Sequence, residues 1–380
     1  MINIFQPCLG KEELEKIEEV FRSNWIGKGQ QVLDFEKLFA LSLGVDPQHF
    51  TSTTCCTEGL FLATKLFELG QGDEVIVPSI SFVAVGSAVI ACGAKLVLCD
   101  VDPHSLNVRA SDIAPKISAK TKAVFVTHYG GVPCDMDPII ELCERNRIVI
   151  IEDAACAVQS FYKGRACGTL GDMGVWSFDA MKILCTGDGG MIYLKDKKLL
   201  EIAKEFLYLG LPGKQKSGMD RSTDGGGNWW EFEVNRPGHR AIMNNIAGAI
   251  GLAQMEKLQD FICRRRKIDE RYRRELNGIH WLKLPPDVPS YCQSSYYLFW
   301  IQTEYRDKLA RYLLDNGVYT TYRYWPLHKV QYFSDAAGGI FSLPGAEEAS
   351  RYTLNIPLHQ SLSDDDVTKI IALIRSFRLY

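Results

Sequence analysis

The sequence has no apolar run that approaches the roughly 20 residues needed to cross a bilayer as a helix. Its N-terminal stretch, MINIFQPCLGKEELEK, also lacks the charged and then apolar pattern of a secretory signal peptide. These two absences argue against a membrane-spanning protein. They predict a cytoplasmic location.

The sequence also lacks a strong excess of either charge. Its 43 Lys and Arg residues and 46 Asp and Glu residues give a net charge of -3, and the basic residues are scattered. The one basic cluster, 264–267, falls within a long helical pattern, which favours an exposed helix face over a nucleic-acid site. We therefore expect neither nucleic acid nor a membrane surface as a partner.

Two short motifs are missing as well. The 12 cysteines show no C-x-x-C spacing, several lie within apolar segments, and Cys55 and Cys56 are adjacent. We interpret them as mostly buried, reduced thiols and predict no metal site. No G-x-G-x-x-G follows the first strand of the α/β region described below, which argues against a nicotinamide-dependent Rossmann enzyme.

What the sequence does contain is enough apolar material for a large core, with 46% hydrophobic residues in a chain of 380. Between residues 73 and 155, short apolar segments alternate with helical ones. The predicted strands are 73–78, 95–102, 123–130 and 147–155. Because strands joined by crossover helices form a parallel sheet covered on both faces, the predicted fold class is α/β.

Functional side chains in such sheets lie at the carboxyl ends of the strands. Phe82 follows the first of the four predicted strands, His128 the third and Asp153 the fourth. A carboxylate at the end of an apolar strand must be paired or functional once it is buried, which makes Asp153 the sharpest candidate. The residues alone favour a core position for Phe82 and leave His128 unassigned.

The segment 171–194 places one lysine between two further predicted strands, GVWSF and GMIYL. Lys182 lies in their connection, after Ser177 and ahead of the glycine-rich stretch 187–190. Most lysines are exposed, but glycines permit close approach of the backbone. We therefore predict that the backbone passes close to a bound group here.

A second candidate binding segment is TSTTCCTEG, residues 51–59, where small hydroxyl and thiol residues lead directly into a helical pattern. A helix N-terminus has unpaired N–H groups and the positive end of the helix dipole, and small side chains leave room for a phosphate. Thr57 would add a hydroxyl donor. Taken alone, the pattern also fits an ordinary threonine N-cap.

Together these segments resemble a known family. S-F-x-x-x-K-x-x-x-x-G-D-G-G (177–190), T-T-x-C-T-x-x-L (53–60) and E-D-A-A-x-A (152–157) are similar to motifs of the DegT/DnrJ/EryC1/StrS sugar aminotransferases. The resemblance extends across nearly the whole chain. It implies pyridoxal 5'-phosphate (PLP) as cofactor and a fold-type-I architecture, with a large α/β domain at 1–255 and a small α+β domain at 256–380.

The pattern after about residue 260 agrees with a smaller α+β unit. It predicts strands at 296–302 and 318–322, a helix at 306–316 and a final helix that begins after Ser363. Ser363 is the predicted N-cap, because three aspartates follow it in the first turn, where they interact favourably with the helix dipole.

The resemblance implies a role for each residue that matches a motif. Lys182 would form the resting Schiff base with PLP and then act as general base, and Asp153 would keep the pyridine nitrogen protonated. Phe82 would stack on the pyridine ring. Cys156 stands where many relatives have glutamine or histidine near the ring hydroxyl. The remaining predicted cofactor contacts are Cys56, Thr57 and Ser177.

Other predicted contacts come from the second half of the chain. Arg240 replaces the asparagine of the relatives' G-x-N-x-x-M segment, which reaches into the partner subunit's active site and touches the cofactor phosphate. The resemblance thus implies a homodimer with shared sites, in which the planar arginine fork binds the phosphate. The motif Y-W-P-L-H makes Tyr324 and His328 candidate substrate contacts, with packing an open alternative for His328. Trp229, in a long glycine-rich loop, either lines the substrate site or packs on the scaffold.

The implied function is transfer of an amino group from an amino acid, glutamate by resemblance, to a nucleotide-linked 3-keto or 4-keto 6-deoxy hexose. A cyclitol acceptor remains an alternative, because some relatives aminate cyclitols. A dehydratase on the same scaffold would carry histidine in place of Lys182, and a non-catalytic regulatory descendant would lack Lys182 or Asp153. Asp179 stands where relatives often have histidine or tyrosine, so substrate contacts beside the lysine stay unassigned.

Overall fold

The computed structural model describes residues 1–212, 233–339 and 341–378. Trp229 lies outside these residues. The helices are α1 (Lys11–Arg22), α2 (Gln30–Ser42), α3 (Cys56–Leu66), α4 (Val83–Ala91), α5 (Ala110–Ile113), α6 (Met136–Asn146), α7 (Lys197–Leu207), α8 (Asn245–Leu276), α9 (Arg306–Asp315), α10 (Gln331–Ala336), α11 (Pro344–Tyr352) and α12 (Asp364–Ser376). The strands are β1 (Phe50–Thr53), β2 (Glu74–Pro78), β3 (Lys95–Cys99), β4 (Thr121–Thr127), β5 (Val149–Asp153), β6 (Phe161–Tyr162), β7 (Arg165–Ala166), β8 (Met173–Ser177), β9 (Gly190–Leu194), β10 (Cys292–Gln293), β11 (Phe299–Gln302) and β12 (Thr353–Ile356).

A seven-stranded sheet with the order β1-β9-β8-β5-β4-β2-β3 forms the centre of the protein. The strands from β3 to β8 in this order are parallel, whereas β9 is antiparallel to β8 and β1 is antiparallel to β9. The parallel strands are almost continuously apolar and buried, as expected for strands covered on both faces. The predicted α/β class with a mostly parallel sheet is confirmed.

The strands predicted from the alternating pattern are present and determine where the site residues lie. The four strands predicted between 73 and 155 correspond to β2, β3, β4 and β5, and the two around the lysine to β8 and β9. Asp153 ends β5 and Ser177 ends β8, while Phe82 and His128 follow β2 and β4. Because these strands are parallel, their carboxyl ends meet at one edge of the sheet.

The C-terminal part contains a two-stranded antiparallel pair, β11 with β12. The strand predicted at 318–322 is wrong. Val318 bridges Ile2, whereas Thr321 bridges Asn355 in β12. The segment therefore changes its hydrogen-bond partner after a few residues, and no continuous ladder forms. The helix predicted at 306–316 is present as α9.

The final helix begins as predicted. Ser363 is the N-cap of α12, and its Oγ accepts a hydrogen bond from the Asp366 N–H at 3.0 Å. The Asp366 carboxylate accepts the Ser363 N–H in return at 3.2 Å, which completes a capping box.

Two apolar clusters form the core. The larger one surrounds the central sheet and includes Phe35, Phe125 and Trp176, and the smaller one includes Tyr272, Phe299 and Ile370. Helix α8 runs without interruption through the predicted boundary at 255/256 and contributes to both clusters. The division into two domains at that position stays a prediction. No helix in the described ranges is long and apolar enough to cross a membrane.

Candidate active site

Lys182 lies in a compact turn between β8 and β9. Its N–H donates to the Asp179 carbonyl at 2.9 Å, and the Met181 N–H donates to Asp179 Oδ1 at 2.9 Å. The Thr186 N–H donates to the Phe178 carbonyl at 2.8 Å, which closes the connection on its far side. These hydrogen bonds fix the backbone around a lysine that is only 9% exposed.

The amino group of Lys182 faces a thiol and an aromatic ring. Nζ lies 3.9 Å from Cys156 Sγ and 4.8 Å from the centroid of the Tyr297 ring. Burial lowers the pKa of Lys182, but the surrounding acidic groups, foremost Cys156 and Tyr297, raise it by more, so the pKa lies above its ordinary value.

Asp153 is buried in the same region, and its charge interacts with that of Lys182. Asp153 Oδ1 accepts the Ala155 N–H at 3.1 Å, and no described residue donates a hydrogen bond to Oδ2. Burial raises the pKa of Asp153, although the Ala155 N–H and the charges of Lys182 and His128 act in the opposite direction. The carboxylate thus retains an oxygen for a further donor.

Glu152, the neighbouring carboxylate, has an entirely different environment because adjacent side chains of a strand point to opposite faces. It is fully buried, and its Oε1 accepts the N–H groups of Leu170 at 2.7 Å and Gly171 at 2.6 Å. Its Oε2 accepts the Gly168 N–H at 2.7 Å and lies 2.8 Å from His128 Nε2. Glu152 is therefore a structural residue that anchors the loop before β8.

His128 is the second member of this buried pair. Its Nδ1 accepts the Cys134 N–H at 3.1 Å, so the ring proton on Nε2 is the one donated to Glu152. Both ring nitrogens of His128 are used within the protein. The structure gives it the hydrogen-bonded structural position that the sequence had left open.

The N-terminus of α3 lies beside the ends of β8, β9 and β1. Ser177 pairs with Gly190, and Gly190 pairs with Thr53, two residues before the helix N-cap. A Cβ on Gly190 would lie within 2.9 Å of backbone atoms of Cys55 and Cys56. Glycine at this position lets β9 pass close to the start of α3. The sequence predicted a close backbone approach to a bound group, but at Gly190 the backbone approaches Cys55 and Cys56 of the same chain.

Cys56 and Thr57 are the first two residues of α3. Cys56 is buried, and its pKa is raised by burial and by the nearby Asp153 and lowered by the nearby Lys182, which places the helix N-terminus at the same site. Thr57 is partly exposed. With Ser177 alongside, this end of the helix combines backbone N–H groups with small hydroxyl side chains, the arrangement that suits a phosphate.

Phe82 and Tyr324 lie on another side of the site. Phe82 is 45% exposed, and its ring centroid lies 5.7 Å from that of Tyr324. The Tyr324 hydroxyl lies 3.5 Å from Cys156 Sγ, and this thiol is the one that Lys182 Nζ contacts. Phe82 is therefore not a core residue but presents an aromatic surface connected to Lys182 through Tyr324 and Cys156.

The thiols at the site are uncharged at neutral pH. Burial raises the pKa of Cys156 and raises that of Cys56 well above its ordinary value. Neither thiol is therefore an activated nucleophile. They provide a small, weakly polar lining next to Lys182.

Arg240 is exposed and contacts Tyr208. Its guanidinium carbon lies 5.6 Å from the Tyr208 ring centroid, and its backbone bridges Tyr208. The next residue, Ala241, accepts the Thr54 N–H at 3.0 Å and the Thr53 hydroxyl at 2.9 Å. The Arg240 segment thus runs alongside the strand that leads into α3 of its own chain, and a contact with the partner's phosphate stays a prediction.

His328 joins the C-terminal motif to the end of β2. Its Nδ1 lies 2.6 Å from Ser79 Oγ, and the Leu327 N–H donates to the Ser79 carbonyl at 2.8 Å. His328 Nε2 is buried without a hydrogen-bond partner among the described residues, and burial lowers the pKa of the ring. His328 supports the segment that carries Tyr324, and its substrate contact stays a prediction.

Two side chains at the site, Tyr297 and Arg323, were not predicted from the sequence. Tyr297 lies beside Lys182 Nζ, and Arg323 lies beside Tyr297, Tyr324 and Cys156. Tyr297 belongs to the predicted strand 296–302, where its apolar neighbours hid any functional signal. Arg323 directly precedes the Y-W-P-L-H motif, and this adjacency is the signal that would have found it.

These residues fit PLP. A buried lysine, a buried carboxylate with a free oxygen, an exposed aromatic face and a helix N-terminus with small hydroxyl residues lie together at the carboxyl edge of the sheet. They match in turn the aldehyde, the pyridine nitrogen, the ring and the phosphate of that cofactor. The fold and the site define a PLP-dependent transferase of fold type I.

Comparison with known proteins gives the family. The sequence profile of the DegT/DnrJ/EryC1/StrS aminotransferase family matches residues 7–375. The chain belongs to this family of aminotransferases, and its cofactor is PLP.

Three relatives illustrate the similarity. The chain is 47% identical over 373 residues to the dTDP-4-dehydro-2,3,6-trideoxy-D-glucose 4-aminotransferase of Saccharopolyspora spinosa, covering 97% of this chain and 95% of that protein. It is 32% identical to the GDP-perosamine synthase of Escherichia coli O157:H7, covering 99% and 98%. The crystal structure of the aminotransferase TlmJ from Streptoalloteichus hindustanus superimposes with a TM-score of 0.93 at 49% identity, covering 99% and 98%.

Proposed function

We propose that this enzyme transfers the amino group of L-glutamate to carbon 4 of a nucleotide-linked 4-keto 6-deoxy hexose, in amino-sugar biosynthesis. The observation that carries the proposal is the buried pair of Lys182 and Asp153 at one site. The names of the two curated relatives described above support the acceptor class. Both relatives cover nearly the whole chain.

In this proposal, bound PLP supplies the electron sink that makes the α-proton of the amino acid removable. Lys182 Nζ would hold the cofactor covalently and, when free, would act as the base that takes and returns the α-proton of the donor. Asp153 Oδ2 would pair with the protonated pyridine nitrogen and so support the electron sink.

The other residues bind and position the cofactor. The N–H groups at the start of α3 and the hydroxyls of Thr57 and Ser177 hold the phosphate, and Arg240 of the partner subunit adds a charged donor. Phe82 would pack on the ring face. Cys156, whose Sγ lies 3.5 Å from the Tyr324 hydroxyl, would lie near the ring hydroxyl.

A spectroscopic experiment tests the acceptor. We expect purified protein with PLP to show the yellow band of the lysine-bound cofactor, to lose it with glutamate and to regain it with one nucleotide-linked 4-keto 6-deoxy hexose. The panel should contain dTDP-, GDP- and UDP-linked 4-keto sugars, a 3-keto isomer and a cyclitol ketone. Mass spectrometry of the products identifies the aminated compound.

The outcomes separate the alternatives. Recovery of the band with the 3-keto isomer or the cyclitol alone contradicts the proposed acceptor and leaves the aminotransferase assignment in place. Loss of water from the sugar without amine transfer indicates a dehydratase. If the band does not form at all, Lys182 does not bind the cofactor.

We also propose that the enzyme is a homodimer. Large apolar side chains are exposed on α1 and α2, which both pack against α8, and they are Leu14, Phe21, Leu33, Leu38 and Leu41. Exposed apolar residues concentrated on neighbouring elements are typical of a protein interface. A second copy of the chain also supplies the phosphate site that Arg240 needs in the proposed mechanism.

A double substitution tests the dimer. Phe21→Glu with Leu41→Glu places two charges on this face, and we expect the mass in light scattering to fall from twice 42.7 kDa to 42.7 kDa. Tyr332→Glu, at a similarly exposed position on α10, is the control and should leave the mass unchanged. A double variant that keeps the mass of two chains would show that the interface lies elsewhere.

A further inference from the structure

The guanidinium of Arg323 lies at the edge of the lysine site. Its Nη2 donates to Met181 Sδ at 3.2 Å, and Met181 is bonded directly to Lys182. The guanidinium carbon lies 4.5 Å from the Phe5 ring centroid, and that ring stacks on Tyr297 at 5.4 Å. Tyr297 in turn faces Lys182 Nζ. Arg323 is therefore connected to Lys182 in two ways, through Met181 and through the rings of Phe5 and Tyr297.

The hydrogen-bonding capacity of Arg323 is almost unused. A guanidinium has five N–H donors, yet within the described ranges this side chain hydrogen-bonds only the thioether sulfur of Met181, a weak acceptor, and the hydroxyl of Tyr324. No carboxylate in those ranges forms an ion pair with it. The positive charge lies instead among the neutral groups of Tyr297, Tyr324 and Cys156.

Arg265 is a structural arginine whose hydrogen-bond donors find acceptors within the protein. It also lacks a carboxylate partner in the part of the chain that the structure describes, and it is buried at 1% exposure. Its guanidinium nevertheless donates to Gln360 Oε1 at 2.9 Å and to three backbone carbonyls, those of Tyr296, Tyr297 and Leu358. Among the described residues Arg323 has no such set of carbonyl acceptors, so most donors of its fork are available to an anion that enters the site.

We propose that Arg323 binds the α-carboxylate of the amino-acid donor. The proposal rests on the proposed function, in which an amino acid reacts beside Lys182. The donor carboxylate is attached to the carbon whose proton Lys182 Nζ removes, so it must lie close to that nitrogen. A planar guanidinium binds a carboxylate through two parallel hydrogen bonds, which fixes its orientation as well as its position. Arg323 thereby turns the α-proton towards Nζ.

Other anions suit this position less well. The cofactor phosphate has its own site at the N-terminus of α3, built from backbone N–H groups and hydroxyls. The diphosphate of a nucleotide sugar is separated from the reacting carbon by the sugar ring, whereas Arg323 contacts the immediate neighbour of Lys182. The donor carboxylate is therefore the anion that this geometry favours.

Arg323→Met and Arg323→Lys test the assignment, with each half-reaction followed separately in the holoenzyme. Removing hydrogen bonds to a charged group weakens binding by about 10- to 100-fold, so we expect Arg323→Met to raise the apparent Kd for glutamate by that factor. The reaction of the aminated enzyme with keto-sugar should change by less than about twofold. Arg323→Lys should restore part of the glutamate affinity, because it keeps the charge but loses the fork.

A binding measurement makes the test independent of turnover. 2-Oxoglutarate carries the donor's carboxylates but no amine, so calorimetry with the PLP-loaded enzyme measures its binding alone. We expect Arg323→Met to weaken it as it weakens glutamate. Arg351→Met is the control, because Arg351 also lies over an aromatic ring, that of Tyr352, but is exposed in the last turn of α11.

Three outcomes would overturn the proposal. Equal losses in both half-reactions would mean that Arg323 only supports the fold. The backbone N–H of Arg323 donates to Asn355 Oδ1 at 2.7 Å, and both substitutions leave this hydrogen bond in place because it does not involve the side chain. A loss confined to the keto-sugar half would assign Arg323 to the nucleotide diphosphate. Unchanged 2-oxoglutarate binding would exclude a carboxylate role. If no keto-sugar reacts with the wild-type enzyme, the proposed function fails, and calorimetry still decides the role of Arg323.

Discussion

Replacement of Lys182 by alanine is expected to lower transamination by at least about 10⁴-fold, because one nitrogen both holds the cofactor and moves the proton. General acid–base transfer alone contributes up to about 10⁴-fold. The variant should bind PLP without the yellow band of the lysine-bound form. The measurement combines the absorption spectrum with the rate of glutamate-dependent amination.

Lys198→Ala is the matched control. Lys198 is exposed at the start of α7, and its side chain has no hydrogen bond or ion pair within the described residues. It should keep both the spectrum and the rate of the wild type. Substantial transaminase activity in Lys182→Ala would refute the assignment of Lys182, whatever the fold.

Asp153→Asn is expected to lower transamination by at least about 100-fold, the scale seen when one preorganised electrostatic group is removed from an active site. An amide does not hold the pyridine nitrogen in its protonated form, so the electron sink is lost. The rate of glutamate-dependent bleaching of the cofactor band measures this directly.

The same substitution should stabilise the protein without cofactor. Burial raises the pKa of Asp153 above the unfolded value of 3.8, so the folded state favours the protonated carboxyl. This contribution to stability is fully present below the unfolded pKa and is lost as the pH rises through the folded pKa. At pH 7 the ionised carboxylate therefore opposes folding, and asparagine removes that cost. We expect the midpoint temperature of unfolding of Asp153→Asn to be higher than that of the wild type at pH 7 and equal to it near pH 3.

Glu152→Gln is the control for Asp153→Asn, which is expected to lower the activity but to raise the stability of the protein without cofactor. Glu152 accepts four hydrogen bonds, from three backbone N–H groups and His128, and an amide nitrogen at the same place leaves at least one buried donor unpaired. We expect a loss of about 3 kcal/mol in the free energy of unfolding. If Asp153→Asn destabilised the protein in the same way, Asp153 would be a structural residue like its neighbour.

Glu152 and Asp153 show how much of the site can be predicted from the sequence alone. The apolar strand before them predicts that a carboxylate at its end is buried and therefore paired or functional, and both residues satisfy that prediction. The motif E-D-A-A-x-A singles out Asp153, but the pattern does not reveal that Glu152 anchors residues 168–171. That role depends on a loop nearly twenty residues further along the chain.

Tyr297 and Arg323 illustrate what the sequence did not reveal. Tyr297 lies beside Lys182 and Arg323 contacts Met181 in the folded protein, yet both belong to segments that follow the central sheet by more than a hundred residues in the printed sequence. The strand predicted at 318–322 failed for a related reason. Its backbone alternates between partners at the N-terminus and in β12, and neither partner can be read from the segment itself.

The sequence by itself determined the α/β class, the strands around Lys182, the N-cap at Ser363 and the family motifs, because each depends on short-range periodicity, local hydrogen bonding or a contiguous pattern of residues. Only the tertiary structure decided which side chains surround Lys182 and which stay unpaired. It exposes the ring of Phe82, pairs His128 with Glu152 and, among the described residues, provides no carboxylate partner for Arg323. The physical reason is that burial, desolvation and pairing depend on contacts between segments distant in sequence, and only packing of the whole chain sets those contacts.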